Sequence, residues 1–242
     1  MSIQVLDQVK GQDGQECGSG RHPSFANGFY ANYGKRGLDI LAATAGLILL
    51  SPVFAIAACS IKLTSRGPAL YRQVRIGQGG RPFQILKFRS MTAETSNKAL
   101  SITVAGDLRV TALGKFLRRY KVDELPQLWN VIRGDMSLVG RRPEAAVYVE
   151  GYTAEQRMVL AARPGITDPA SLAYRHEEEI LARQSDPEEF YRTMILPDKL
   201  ARNRAYLEKI TLLNDIRIIV KTIFSSLLPC RKNRSATHSR VV

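Results

Sequence analysis

At 242 residues the chain has room for one domain or two small ones, and its 35 Lys and Arg against 22 Asp and Glu leave a net charge of +13. Ordinary aromatic (7%) and charged (24%) contents exclude wholesale disorder. Three scattered cysteines, Cys17, Cys59 and Cys230, exclude a disulfide scaffold, and His22, His176 and His238 offer no metal-binding spacing. The surplus charge is concentrated: residues 35–142 carry 18 basic and 6 acidic side chains, whereas residues 143–228 carry 11 and 13. Such a block faces anionic lipid or phosphorylated ligands.

Residues 1–34, rich in Gly, Gln, Asn and Ser, show no sustained apolar period and are expected to form a flexible polar tail. From Ile40 to Ile61 the next 22 residues lack a charge, and about 20 suffice to span a bilayer. Ser51-Pro52 breaks this run near its middle, where proline removes a donor and clashes with the preceding turn. Lys35 and Arg36 before the run and Lys62 and Arg66 after it pull both ends to the cytoplasmic side. A helix–break–helix hairpin over 35–66 that dips into one leaflet satisfies both facts, with Ser51 and Pro52 as its hinge and Ser51 available to freed backbone groups. An ordinary kinked spanning helix is the alternative, and these residues alone leave the two open. Ile56-Ala-Ala-Cys59 has the pattern of a lipoprotein cleavage site, but 39 residues precede the run, unlike the short basic start of a signal peptide.

Ala69–Ile76 and Arg81–Arg89 read as two strands around Gly77-Gln-Gly-Gly80, a hairpin carrying Arg72, Arg75, Lys87 and Arg89. Residues 92–106 read as a loop. Between Asp107 and Tyr120 the apolar Val110, Leu113, Phe116, Leu117 and Tyr120 follow helical spacing, with Lys115, Arg118 and Arg119 between them. Thr153-Ala-Glu-Gln156 is a capping-box pattern opening a short helix that Pro164-Gly165 stops, and Ser185-Asp-Pro-Glu188 opens another. Pro197–Lys209 and Thr211–Leu228 read as further helices. The second presents a broad apolar face (Leu212, Ile216, Ile219, Val220, Ile223, Phe224, Leu227), suited to the core or to a membrane interface, and a basic disordered tail is expected over 229–242.

Asp123-Glu124 sits inside the cationic block and just ahead of Leu125-Pro126, which places Asp123 at or beside a helix N-cap. Adjacent carboxylates repel unless a cation lies between or beside them. Magnesium answers that need, since it favours one or two carboxylates plus phosphate oxygens. On their own, two acids at a helix start are equally a capping device. A membrane-tethered nucleic-acid binder also fits the charge, but it needs stacking aromatics, and an acid pair within the basic block would repel it. No nucleic acid is therefore expected as partner.

KRGLDI (35–40), the Ser51-Pro52 break, SRGPALYRQVRIGQGGRPFQILKFRSM (65–91), LGKFLRRYKVDELPQLWNVIRGDMSLVGRRPE (113–144) and RPGIT (163–167) occur in one order. In this the chain strongly resembles the bacterial sugar transferases, the monotopic phosphoglycosyl transferases that prime lipid-linked glycan assembly. The resemblance covers about residues 35–228. It implies an α+β, mainly α fold: a re-entrant membrane helix, a small β-hairpin and amphipathic interfacial helices, with a catalytic domain (67–228) on the cytoplasmic face of the bacterial inner membrane. It also implies transfer of sugar-1-phosphate from a UDP-sugar to polyprenyl (undecaprenyl) phosphate with release of UMP, as the priming step of exopolysaccharide, capsule, O-antigen or glycoprotein glycan assembly. Asp123 would be the nucleophile, forming an aspartyl-phosphosugar, and Glu124, with Asp123 beside it, would bind magnesium. Arg142 and Pro143 match the family's Pro-Arg-Pro element, with Arg141 in place of its first proline. Lys87, Arg89, Arg118 and Arg119 are further candidates for phosphate or headgroups. Anionic inner-membrane lipid and downstream glycosyltransferases are the implied partners. Asp168-Pro169 departs from the glycine and small polar run that many members carry after Pro-Gly-Ile-Thr.

Overall fold

The structure, a computed structural model, describes residues 30–92 and 102–227. Residues 1–29 of the expected tail, part of the loop expected over 92–106, and the basic end 229–242 lie outside the described residues. Tyr30–Gly34, assigned above to the tail, already winds as a π-turn into α1 (Lys35–Leu49). At Leu50 the chain bends by 60° into α2 (Ser51–Thr64). Pro52 lies in the first turn of α2, where its missing N–H has no helical partner to lose. The exposed Ser51 side chain does not close the break. The Leu50 N–H donates to Gly46 O at 2.9 Å, and Leu50 O accepts from Phe54 N at 3.0 Å. Among the described residues no single helix is long and apolar enough to cross a membrane, while α1 and α2 together pass by length and composition.

The expected hairpin forms from β1 (Leu70–Ile76) and β2 (Pro82–Phe88), antiparallel, with Tyr71 opposite Lys87 and Arg75 opposite Phe83. α3 (Ala112–Arg119) starts later than the periodicity suggests, because Asp107 binds the Arg109 N–H and guanidinium instead, and Val110 bridges to Met91. Thr111 then caps α3 by accepting from Gly114 N at 2.8 Å. Asp123 and Glu124 form a single 3-10 turn ahead of α4 (Gln127–Arg133), so Asp123 is not its N-cap; Pro126 stands there.

A second, parallel pairing was not apparent in the sequence: β3 (Ser137–Val139) runs beside β4 (Gly165–Thr167). The two cross so closely that a Cβ on Gly165 would lie 2.1 Å from Gly140 N, and only glycine fits. Asp168 caps α5 (Pro169–Ala173), accepting from Ser171 N at 2.9 Å with Pro169 in the first turn. The Thr153–Gln156 capping box forms as expected, whereas Asp186 rather than Ser185 caps the next turn. α6 (Leu196–Glu208) and α7 (Leu212–Leu227) match the two expected helices within a residue or two.

Three apolar clusters join these elements. The largest gathers β3, the short turns over 146–195, α6 and Ile218 of α7. A second seats Ala43 of α1 against Ile85, Val131 and Met136; a third seats Ala57 and Ile61 of α2 against Phe88 and Leu117. Each arm of the bent pair is thus packed onto the hairpin and a helix flanking the acid pair. The outer faces of the same arms leave Leu41, Ile48, Leu49, Ile56 and Leu63 exposed.

The first turn of α1 supplies polar pins. Lys35 pairs with Asp215 of α7. The Arg36 guanidinium donates to Val131 O (2.7 Å) and Ile132 O (3.1 Å) at the carbonyl end of α4, where a cation is favoured. Buried Asp39 accepts from Ser137 Oγ (2.6 Å) and Leu138 N (3.1 Å). Lys35 and Arg36, read above as topology signals, are therefore engaged within the fold. Asp39→Ala leaves the Leu138 amide without its acceptor, while Ser137 Oγ keeps Val139 O at 3.0 Å, and should cost about 1–3 kcal/mol. Asp39→Asn retains an acceptor and should cost much less, and thermal unfolding of the two variants checks the difference.

Candidate active site

The acid pair is positioned from three sides. Lys121 adopts a left-handed backbone (φ 57°), which reverses the chain after α3 and tucks the next turn inward. Glu124 N then donates to Lys121 O at 3.2 Å, and both carboxylates end up buried. On the second side, Asn130 of α4 is fully enclosed and pairs with the free edge of β2. Its Oδ1 accepts from Leu86 N at 3.0 Å and its Nδ2 donates to Gln84 O at 2.8 Å. The amide thus stands in for a further strand and fixes β2, hence Lys87, against the pair. On the third side, the β3–β4 crossing holds the Arg141–Pro143 loop.

Arg141, 1% exposed, is directed at backbone and not at the acid pair. Its Nη2 donates to Gly77 O (2.8 Å) and Ile76 O (3.1 Å), so its side chain anchors the loop to the hairpin. Burial pulls its guanidinium down to about 10. Arg142 projects the other way, pairing with Glu124 through both terminal nitrogens, with Nη1 3.4 Å from Oε2. Lys87 Nζ donates to Glu124 Oε1 at 3.3 Å.

The two acids differ sharply. Burial alone would raise the Glu124 carboxyl, but Arg142, Lys121 and Lys87 outweigh it and hold the group well below the usual range. Asp123 is pushed up, first by burial and then by the Glu124 charge, with Lys87, Lys121 and Arg118 only partly compensating. Its Oδ1 is buried and has no hydrogen-bond partner. Burial pulls Lys87 down against the attraction of Glu124, while the Glu124 charge, ahead of burial, holds Arg142 up.

Of the other candidates, Arg118 reaches Asp123 only through its charge, and neither Arg89 nor Arg119 is among the groups whose charge acts on the acid pair. Arg89 spends its guanidinium on Ser65 O (2.9 Å) and Arg66 O (2.7 Å), at the end of α2. Arg118 pairs with Glu178, and Arg119 sits over the Tyr120 ring. Pro143 directly follows Arg142 in the loop. Two residues not singled out as site candidates join the cluster: Lys121, whose charge acts on both acids, and Arg75, which lies near enough to Arg142 and Glu144 to feel their charges. Strand alternation carries the signal for Arg75. The register places it on the hairpin face that bears Lys87.

Magnesium is bound through one or two carboxylates, with water and phosphate oxygens completing its octahedron. Two carboxylates on one turn, one with a buried oxygen lacking a partner, fit that set. Among the described residues no group of three or more His, Cys, Asp or Glu forms a metal cluster, so phosphate and water would supply the remaining ligands.

Comparison with known proteins assigns the family. Residues 30–228 match the family model described as bacterial sugar transferase. The chain is 40% identical over 197 residues to a UDP-glucose:undecaprenyl-phosphate glucose-1-phosphate transferase of Caulobacter vibrioides, covering 80% of this chain and 69% of that one. It is 38% identical over 192 residues to an Aeromonas hydrophila UDP-N-acetylgalactosamine-undecaprenyl-phosphate N-acetylgalactosaminephosphotransferase, covering 78% and 42%. An Escherichia coli UDP-glucose:undecaprenyl-phosphate glucose-1-phosphate transferase is 36% identical over 202 residues, covering 80% and 40%. This chain thus spans about two fifths of the latter two relatives. It belongs to the bacterial sugar transferase family.

The ionised Glu124–Arg142 pair makes a pH-dependent contribution to stability. Because the folded Glu124 is held below its unfolded value, the contribution is full above about pH 4.5 and fades as pH falls through the lower folded value. Arg142→Gln should therefore lower the melting temperature at pH 7, with the deficit shrinking in acid. A deficit independent of pH in calorimetric scans would show that the pairing is not its source.

Proposed function

We propose that this chain is a phosphoglycosyl transferase that moves sugar-1-phosphate from a UDP-sugar to undecaprenyl phosphate and releases UMP. The observation that carries the proposal is the asymmetry of the acid pair. Glu124 is surrounded by cations, whereas Asp123 keeps a buried carboxylate oxygen unpartnered. Desolvation, the main cause of the raised Asp123 pKa, makes the ionised carboxylate a stronger nucleophile than an exposed one. Asp123 Oδ1 forms a bond to the β-phosphorus of the UDP-sugar, the bond from that phosphorus to the bridging oxygen breaks, and UMP leaves with the electron pair. A phosphate oxygen of undecaprenyl phosphate then attacks the same phosphorus and returns the carboxylate of Asp123. Lys87 and Lys121 bring positive charge to Asp123, and Arg142 pairs with the adjacent Glu124, which favours the diphosphate and the departing UMP. Glu124, with Asp123 beside it, would hold magnesium, which when bound neutralises charge on the diphosphate.

The same reading places α1 and α2 as a re-entrant hairpin in the bacterial inner membrane, with the acid pair on the cytoplasmic face. The exposed apolar outer surface of both arms and the bend at Leu50 support it. Polysaccharide assembly is the process it would serve; one relative is an exopolysaccharide production protein of Rhizobium meliloti, 32% identical over 205 residues.

UMP release from a panel of UDP-sugars, with undecaprenyl phosphate and magnesium, tests the reading directly. Asp123→Asn should abolish release while leaving the melting curve close to that of the parent chain. Glu124→Gln should reduce release by orders of magnitude, with partial recovery at raised magnesium. Sustained release by Asp123→Asn, with reversion by deamidation excluded, would overturn the role of Asp123. For topology, cysteines placed beside Lys35 and Arg66 should both label from the cytoplasmic side, and labelling of either from outside would remove the hairpin.

A further inference from the structure

Among the described residues, a cavity lies away from the acid pair, between α5 and α7. It is a groove of about 630 Å³ whose lining includes Pro169, Leu172, Arg175, Arg217, Lys221 and Ser225. Neither Asp123 nor Glu124 borders it, and its lining holds three cations and no acid. The single acid of α7, Asp215, is buried elsewhere, accepting from Tyr30 Oη at 2.7 Å, from Tyr206 Oη at 2.5 Å and from Lys35. Arg217 and Lys221, one turn apart, stand side by side on one shoulder of the helix.

The outward face of α7 is apolar and is left exposed by the described residues. Leu213, Ile216, Val220, Ile223, Phe224 and Leu227 recur at three- and four-residue steps and are all exposed, while Ile218 points into the core. A helix with an apolar stripe and cations on its shoulder has the layout of one lying in a membrane interface. Its position agrees. The Lys35–Asp215 pair hooks the first turn of α7 to the first residue of α1, which brings the start of α7 beside the start of the bent apolar pair.

We infer that the α5–α7 groove holds the phosphate headgroup of an anionic membrane lipid, whose acyl chains lie along the apolar stripe of α7. The inference rests on the membrane placement proposed above. The stripe from Leu213 to Leu227 runs for about 21 Å at 1.5 Å per residue, a length suited to acyl chains. A soluble anion would use the cations and leave the adjoining stripe uncovered. A second copy packed stripe to stripe would bring two sets of Arg217 and Lys221 close together. The groove lining holds no aromatic ring on which a nucleobase could stack.

Brominated lipids test this with the full chain in phosphatidylcholine nanodiscs. Trp129 is the sole tryptophan, so Trp129→Phe with Phe224→Trp reports only from the stripe. Brominated phosphatidylglycerol should quench this tryptophan more than the same mole fraction of brominated phosphatidylcholine. Arg217→Gln with Lys221→Gln should abolish the difference while quenching by phosphatidylcholine persists. Equal quenching by the two lipids before those substitutions would overturn the headgroup site. Added glycerol phosphate should leave the preference intact, and loss of the preference would assign the groove to a soluble phosphate instead. A parallel reporter, Trp129→Phe with Leu49→Trp, separates the two readings. Quenching at position 49 but not 224 sinks the groove alone, and quenching at neither sinks the membrane placement as well.

Discussion

The structure turns on the burial of Glu124 among cations drawn from separate parts of the chain. Lys87 comes from β2, Arg142 from the loop after β3, and Lys121 from the turn just ahead. Removing a carboxylate from water is costly, and only close, well-directed partners offset it. Each partner therefore needs its own anchor: Asn130 on the edge of β2 for Lys87, the glycine crossing and Arg141 for Arg142, and a left-handed residue for the turn itself. Because Glu124 takes up this positive charge, Asp123 is left buried with an unpartnered oxygen. One residue makes the position electrostatically tolerable, and its neighbour is kept available.

The same architecture joins the apolar bent pair to the site. α1 packs on α4 through Ala43 and Val131, with Gly46 facing Leu128, and α2 packs on α3 through Ala57, Ile61 and Leu117. Lys35, Arg36 and Asp39, all within the first turns of α1, lock onto α7, α4 and β3 in that order. The helices flanking the acid pair are therefore also the seats of the bent pair. The proposed reaction between a water-soluble nucleotide sugar and a lipid phosphate would use this coupling, since its site would stand where the two phases meet.

Local signals made much of this legible in the sequence. The β-hairpin follows from its glycine turn and alternation, α6 and α7 from amphipathic spacing, and the Thr153 cap from a four-residue pattern. The Asp-Glu pair stood out because acids inside a cationic block demand an explanation. What escaped depends on distance along the chain. β3 and β4 are three residues each, and their pairing joins residues 137 and 165 without a local mark. The contacts of Arg89 and Arg118 were not legible either, because a charged side chain looks the same in sequence whether it meets a phosphate or headgroup, a backbone carbonyl or Glu178. Asn130 gave no sign that it would complete the edge of a strand.

The central claim is that Asp123 carries the phosphosugar during turnover. Purified chain mixed with a UDP-sugar and magnesium, without lipid acceptor, and quenched rapidly in acid should yield one modified peptide containing residue 123, its mass raised by one phosphosugar. The same peptide from Asp123→Asn should be unmodified, and undecaprenyl phosphate added before the quench should discharge the parent chain. A phosphosugar on any other residue, or turnover with no covalent species at the shortest quench times, would contradict the account.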